Sequence, residues 1–200
     1  MTTPKQAYEK LIELSQELAT LSSIASVLGW ERETYMPPKG ATLRARQSSY
    51  LSGLIHRKFT DPRVGEWLAL AESELAGDDP FDDAAVNLRE WRHDYDRATK
   101  VPTELVEEIT RTAVMAHSAW VEARAQADFA IFRPHLARLI DLTRKRAECI
   151  GYEDNIYDAL LDEYEPGMKT ADVQRLFDGL RGELVPLVQA ISESSRRPKT

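Results

Sequence analysis

The apolar residues of this chain recur at intervals of three and four positions, and this spacing limits the possible folds more than any other feature. The first long segment shows it in Leu11, Leu14, Leu18, Leu21, Ala25 and Leu28. Residues at this spacing lie along one side of an α-helix, because the helix repeats every 3.6 residues. No segment shows the alternation of a half-buried strand. The sequence therefore predicts an all-α fold.

Prolines and glycines divide this pattern into separate helices, because proline removes a backbone donor and glycine frees the backbone. A long first helix is predicted to break at Gly29 and at 34–40. Three helices should follow over about 41–56, 61–76 and 82–99, and a fifth should begin at 102 or 103. The remaining helices are predicted over 134–150, over 156–163 and from a cap at Thr170 onwards. Short turns favour antiparallel neighbours. We expect an antiparallel helical array or bundle of about seven to eight helices, with long N-terminal helices and a last helix kinked at Pro186. A helical region would cover 1–191 and a polar tail or linker 192–200.

Some helix faces can be assigned in advance. The second helix is expected to face inward with Leu43, Tyr50, Leu51, Leu54 and Ile55. The last helix carries a stripe of Val173, Phe177, Leu180, Leu184, Leu187 and Ile191. The single cysteine, Cys149, is expected to be a small buried hydrophobic residue, because no histidine lies close in sequence to activate it.

Composition excludes several classes of function. Lysine and arginine number 26 against 33 acidic residues, a net charge of −7. An acidic chain lacks the basic surface that nucleic-acid phosphates require. No apolar run reaches the ~20 residues that span a bilayer, and one cysteine cannot form an internal disulfide. We therefore expect no nucleic-acid or membrane partner and a cytoplasmic location.

The histidines form no catalytic motif. A zinc peptidase helix needs two histidines four positions apart with a glutamate between them, but His56, His93, His117 and His135 are all further apart. One Glu-x-x-His, from Glu90 to His93, resembles half of a di-iron bundle site, which needs the motif twice. No nucleophile elbow and no phosphate-binding glycine loop occurs either. We predict no catalytic and no metal-binding residue in this chain.

Unusual strings lie instead in loops and at helix ends, where packing does not dictate residue choice. They cover residues 30–37, 44–47, 120–124, 128–136 and, most distinctively, Tyr157–Met168. In this order and spacing they resemble the N-terminal part of the carboxypeptidase Taq family of metallocarboxypeptidases. Glu31 departs from the family pattern, which usually has aspartate there, but keeps the charge.

The resemblance implies a cytosolic, helix-rich enzyme, commonly a homodimer, that removes amino acids one at a time from peptide C-termini. In the family a His-Glu-x-x-His helix and a distant glutamate hold zinc or cobalt, and the central glutamate activates water. These residues lie downstream in the family and have no counterpart here. The chain alone is therefore expected to bind no metal, to be inactive, and to need a missing C-terminal catalytic half as its partner.

Several residues of these strings are candidates for lining a substrate cleft: Trp30, Thr34, Met36, Arg44, Gln47, Trp120, Arg124, Asp162, Tyr164 and Glu165. A structural interpretation stays open for each. The acidic run 162–165 could fix a turn between helices through side-chain caps, and the arginines could pair with buried carboxylates.

Two hypotheses from different classes follow. In the first, the chain is the N-terminal wall of a metallocarboxypeptidase cleft. In the second, it is a stand-alone helical binding or scaffold protein derived from the same half of the family. If a catalytic half normally covers one face, the isolated chain should expose apolar stripes, and it should then self-associate or bind a hydrophobic dye.

Overall fold

A computed structural model describes residues 2–75, 77 and 79–196, and all regular structure within these ranges is helical. The α-helices are α1 (Pro4–Thr34), α2 (Ala41–Phe59), α3 (Pro62–Leu75), α4 (Asp83–Ala98), α5 (Thr103–Gln126), α6 (Phe129–Ile150), α7 (Asp158–Leu161) and α8 (Thr170–Glu193), with a 3₁₀ turn over Pro38–Gly40. The all-α prediction is confirmed. The predicted end of the third helix at Ala76, and 197–200 of the predicted tail, lie outside the described residues.

Side-chain caps account for the starts of α1 and α4, among others. Thr3 Oγ1 accepts from the Gln6 N–H at 3.3 Å, and the Gln6 side chain accepts from the Thr3 N–H at 2.9 Å, a reciprocal capping box. Asp82 accepts from the backbone N–H of Ala84 at 3.0 Å and starts α4. These side chains satisfy N–H groups that have no partner inside the helix.

Several predicted boundaries were wrong; among them, the second helix ends at Phe59 rather than 56, and the short helix covers Asp158–Leu161 rather than 156–163. The first helix continues through Gly29 to Thr34, since one glycine weakens a helix without ending it. The sixth helix begins at Phe129, not Pro134, because Asp128 Oδ1 accepts from the Ala130 N–H at 2.9 Å, and the helix then tolerates Pro134 inside it. Thr170 does not cap the last helix but is its first residue.

The molecule divides into two compact units, residues 1–150 and 151–200. In the first unit, α1 packs against α2 and α3, α3 against α4, α2 against α5, and α5 against α6. Only Ala127 and Asp128 separate α5 from α6, and Lys100 Nζ, just before α5, donates to the Ile150 carbonyl at the far end of α6 at 3.2 Å. These two helices therefore form an antiparallel hairpin, as the short turns predicted.

The core of the first unit lies where α1, α3 and α4 meet. Its buried residues are Ala7, Leu11, Val64, Leu68, Ala71 and Leu88. Trp67, Trp91 and Tyr95 pack against this cluster from its edges. The stripe predicted on α1 contributes Leu11, which is 4% exposed. Burial of these side chains is the main source of stability for this unit.

The buried face of α2 was predicted incorrectly. Leu43 and Tyr50 point outward and are well exposed, while Leu51, Leu54 and Ile55 are only half-buried. The buried residues are the small ones at intervals of four, Ala41, Ala45, Ser49 and Gly53. Small side chains let two helix backbones approach closely, so α2 uses this row against α5 rather than its large apolar residues.

In the second unit, α7 is one turn long and α8 has 24 residues. Gly151 has a φ of 90° and follows the end of α6, where glycine is favoured because the backbone is left-handed. α8 runs through Pro186 from Thr170 to Glu193, and the predicted kink stays a prediction. Cys149, at the end of the first unit, is half-buried rather than fully buried.

Candidate functional site

The candidate residues fall into two groups, one in each unit. Seven lie on the end of α1, the following turn, α2 and α5: Trp30, Thr34, Met36, Arg44, Gln47, Trp120 and Arg124. Three follow α7: Asp162, Tyr164 and Glu165.

Arg44 ties the start of α2 to the end of α1. Its Nη2 lies 2.7 Å from Glu31 Oε2, and its Nη1 donates to the Leu28 carbonyl at 2.8 Å. The Arg44 side chain is only 13% exposed. Arg44 is therefore an arginine paired with a carboxylate, as the structural interpretation proposed. Its partner is Glu31, which replaces the aspartate usual in the family and keeps the negative charge. Two charge-assisted contacts in a shielded position fix where α1 ends.

A row of contacting side chains, with two rings between an acidic and a basic residue, runs from the end of α1 along α5. Glu33 Oε2 lies 3.1 Å from His117 Nε2, and the His117 ring centroid is 5.7 Å from that of Trp120. Arg124 Cζ lies 5.2 Å from the Trp120 centroid, within the range of a cation–π contact. We call Glu33, His117, Trp120 and Arg124 the aromatic row. The exposed Trp120 ring and the flanking charges offer both stacking and hydrogen bonding to a ligand.

The other residues at the end of α1 contact one another. The rings of Trp30 and Tyr35 meet edge to face with centroids 5.6 Å apart. Thr34 Oγ1 donates to the Trp30 carbonyl at 2.8 Å, so its hydroxyl is used inside the helix. Met36 is half-buried beside Gly40, where a Cβ would lie 3.0 Å from Met36 Cγ.

Gln47 borders a surface cavity of about 470 Å³ between α2 and α5. The residues lining this cavity are Leu43, Arg46, Gln47, Ser49, Tyr50, Glu107 and Arg111. Ser49 Oγ donates to the Glu107 carbonyl at 3.0 Å and accepts from Arg111 Nη2 at 3.3 Å. Glu107 Oε1 lies 2.7 Å from Arg57 Nη1.

The sequence reasoning missed Ser49, Glu107 and Arg111. The interval of four between small residues on α2 was the signal that could have found Ser49, because such a row marks a close helix contact. Glu107 and Arg111 carry no such signal. They are charged residues on a helix full of charged residues, and only packing against α2 distinguishes them.

The string Tyr157–Met168 forms a turn held by two aspartates. Asp162 Oδ1 accepts from the Gly167 N–H at 2.9 Å, and Gly167 has a φ of 80°. Asp158 is 7% exposed and accepts from both the N–H and the hydroxyl of Thr170. The Thr170 hydroxyl, then its N–H, lower the pKa of Asp158 below its usual value of 3.8.

Asp162 therefore fixes the turn, as the structural interpretation of 162–165 proposed, whereas Tyr164 is 81% exposed and Glu165 is also exposed. Asp158, a buried carboxylate that joins the turn to the first residue of α8, was not among the candidates. Its position three residues before the end of a four-residue helix could not be recognised from spacing.

His56 and His93 of the first unit each have contacts of their own. His56 is used structurally, with Nδ1 2.9 Å from Thr103 Oγ1 and Nε2 3.1 Å from the Ala98 carbonyl. His93 Nδ1 lies 3.4 Å from Asp94 Oδ1. Among residues 2–75, 77 and 79–196, no group of three or more His, Cys, Asp or Glu side chains could hold a metal ion. In the same ranges, no helix combines the length and apolarity needed to span a bilayer.

The fold and sequence match one family of helical metallopeptidases. The family model described as carboxypeptidase Taq (M32) metallopeptidase matches residues 10–200. This chain belongs to that family.

The relatives are longer than this chain. Thermostable carboxypeptidase 1 of Thermus thermophilus is 41% identical, with 99% of this chain and 41% of the relative covered, and that of Pyrococcus furiosus is 32% identical over 97% and 38%. The crystal structure called BsuCP superimposes with a TM-score of 0.88 at 27% identity, covering 98% of this chain and 39% of that one. The chain thus spans about two fifths of the length of the relatives it matches.

Proposed function

We propose that this chain forms the N-terminal helical part of a metal-dependent carboxypeptidase that releases C-terminal amino acids from peptides. The observation that carries the proposal is the match over almost the whole chain to relatives named carboxypeptidases, of which it spans only 38–41%. The proposed arrangement is a helical region over 1–191, a linker over 192–200, and a catalytic region beyond. The complete enzyme would be a cytoplasmic homodimer.

The metal in this proposal is zinc or cobalt, held by a His-Glu-x-x-His helix and a further glutamate in the remaining part of the enzyme. The 200-residue chain by itself would bind no stoichiometric metal and release no amino acid. The contacts of two histidines support the proposal that this part of the enzyme holds no metal. His56 contacts Thr103 and Ala98, and His117 contacts Glu33. A zinc site needs three protein ligands around one point.

We assign the aromatic row, together with Trp30, to the border of the peptide cleft. Trp120 is 39% exposed although it lies between His117 and Arg124, and an exposed aromatic held in position by neighbours is suited to contacting a ligand. Gln47, Met36 and Thr34 are proposed as outer positions of the same border. Tyr164 and Glu165, in the second unit, are proposed separately as exposed residues that contact the substrate. Arg44 and Asp162 would act by positioning, because both terminal nitrogens of Arg44 and Oδ1 of Asp162 already have partners.

A carboxypeptidase assay tests the main proposal. The 200-residue chain and a longer polypeptide that includes the downstream reading frame would be incubated with a blocked dipeptide and Zn²⁺ or Co²⁺. We expect metal-dependent release of the C-terminal amino acid only from the longer polypeptide, abolished by a chelator. Turnover by the 200-residue chain alone, lost on chelation, contradicts the proposal.

The cleft assignment has a separate test in the longer polypeptide. Trp120→Ala should raise KM about three- to tenfold, the size of losing one aromatic contact, and leave the melting temperature almost unchanged because the ring is partly exposed. Phe81→Ala is the control, since Phe81 is 85% exposed in the loop before α4. An unchanged KM for Trp120→Ala contradicts the cleft assignment.

The second candidate is a stand-alone helical binding or scaffold protein. The closed core around Leu68 favours it, because the first unit buries its own apolar cluster without help from another chain. The downstream gene sequence separates the two candidates. A reading frame that continues into a His-Glu-x-x-His supports the enzyme, and a stop codon directly after Thr200 supports the scaffold.

A further inference from the structure

One side of α8 is apolar along its whole length. The residues on this side are Val173, Leu176, Phe177, Leu180, Leu184, Leu187, Val188 and Ile191. At 3.6 residues per turn they fall within an arc of about 120°. All of them except Val173 are between 44% and 62% exposed. We call this surface the α8 apolar face.

The opposite side of α8 carries polar and charged residues that face the solvent. Gln174 Nε2 donates to Asp178 Oδ1 at 2.9 Å, and Arg175 forms an ion pair with Asp172. A Cβ added to Gly182, also on this side, would meet nothing within 4 Å. Helices with one polar and one broad apolar side bury the apolar side in a core. A contiguous apolar surface that stays exposed therefore marks a docking surface.

We propose that the α8 apolar face docks the part of the same polypeptide that follows α8, the region corresponding to the remaining three fifths of the relatives. This inference rests on the proposed function, which requires that region to exist. α8 is the last helix of the described chain, while the relatives continue far beyond the matched part. A segment tethered directly behind α8 meets this face at a high effective concentration.

The width of the face favours that occupant over a second copy of the chain. Two helices that pair as a coiled coil bury a narrow seam, two positions in every seven. The α8 apolar face is wider, with neighbouring pairs at Leu176 and Phe177 and at Leu187 and Val188. A face of about 120° is typical of a helix covered by several elements of a globular core.

Hydrogen exchange, measured by mass spectrometry, tests this docking. In the 200-residue chain, amides of residues 176–191 should exchange quickly at micromolar concentration. In the longer polypeptide they should slow by about a hundredfold or more, because docking closes the local opening of α8. Leu180→Glu with Leu184→Glu should remove that protection. The matched control, Gly182→Glu with Gln189→Glu, adds the same charge to the polar side and should keep it.

Each other outcome overturns the docking proposal. One is fast exchange of α8 in the longer polypeptide, and another is equal loss of protection in both double variants. A third is protection of α8 in the longer polypeptide that appears only as its concentration and its dimer mass by light scattering rise together, which assigns the face to a second copy. Amino-acid release is measured separately. A longer polypeptide that is active but has an unprotected α8 contradicts the docking proposal and leaves the proposed function unaffected.

Discussion

The two units of this protein treat their apolar residues in opposite ways. In the first unit, α1, α3 and α4 enclose Leu68 and Leu88, which are at most 1% exposed. In the second unit, α8 has no buried residue, although its apolar stripe is as regular as that of α1. The same three-and-four spacing thus produces a core in one unit and a surface in the other.

The difference between the units shows that an apolar stripe marks the side of a helix that can be buried but does not identify the element that buries it. α8 also carries Gly179, Gly182 and Pro186, which together lower its intrinsic helix stability by roughly 5 kcal/mol relative to alanine. Helices in proteins owe most of their stability to packing of the apolar side. α8 therefore depends on packing more than α1 does, and the predictions below probe this contrast between the units.

The largest expected effect is loss of a core side chain in the first unit. Leu68→Ala should lower the free energy of unfolding by about 2–5 kcal/mol, because it leaves a cavity in a fully buried cluster. Leu180→Ala, on α8, should change it by less than about 0.5 kcal/mol in the 200-residue chain. Urea denaturation followed by circular dichroism measures both. Equal effects would erase the contrast between the units.

A smaller effect is expected for a shielded arginine. Arg44→Met should cost about 1–3 kcal/mol, because it keeps the stem but leaves Glu31 and the Leu28 carbonyl without their partner. Arg175→Met is the counterpart on α8, where the arginine is 76% exposed, and should cost less than about 0.5 kcal/mol. Thermal unfolding of both variants checks the prediction. A neutral Arg44→Met would show that the end of α1 needs no such anchor.

The close contact between α2 and α5 predicts that substitutions at Gly53 and Glu107 have non-additive effects on the free energy of unfolding. A Cβ at Gly53 would lie 2.0 Å from Glu107 Oε1, so Gly53→Ala should cost about 1 kcal/mol through displacement of the Glu107 side chain from Arg57. In a Glu107→Ala background the same substitution should become neutral or stabilising, since alanine favours helix. A double-mutant cycle measures the coupling. Simple additivity would mean that Glu107 does not occupy this space.

The smallest expected effect is a pH dependence in the second unit. The folded pKa of Asp158 lies below its usual 3.8, so its contribution to stability is complete above that value and is lost as pH falls below it. Protection of the Thr170 amide should therefore fall as the pH is lowered below about 3.8 in the wild type and stay flat in Asp158→Asn. A local probe is needed, because Arg63 holds the pKa of Asp61, in the first unit, at about 2.

The candidate site was only partly predictable. Asp162 and Gly167 follow from a local rule, because a short polar side chain and a glycine in left-handed backbone close a turn wherever they stand. Arg44 was identified as unusual, but its partner Glu31 lies 13 residues away on another helix, and no spacing rule joins them. The His117 contact with Glu33 bridges an even longer separation, so only packing could reveal the aromatic row.

The sequence by itself determined the all-α class, most helix positions and the family resemblance. These depend on local chemistry: periodic apolar residues, caps such as Thr3 and Asp82, and glycines that leave the helical conformation. Only the tertiary structure decided that α2 buries small residues while Leu43 and Tyr50 face outward, and that no described residue buries the α8 apolar face. Burial is a property of what surrounds a side chain, and a helix cannot encode its surroundings in its own period.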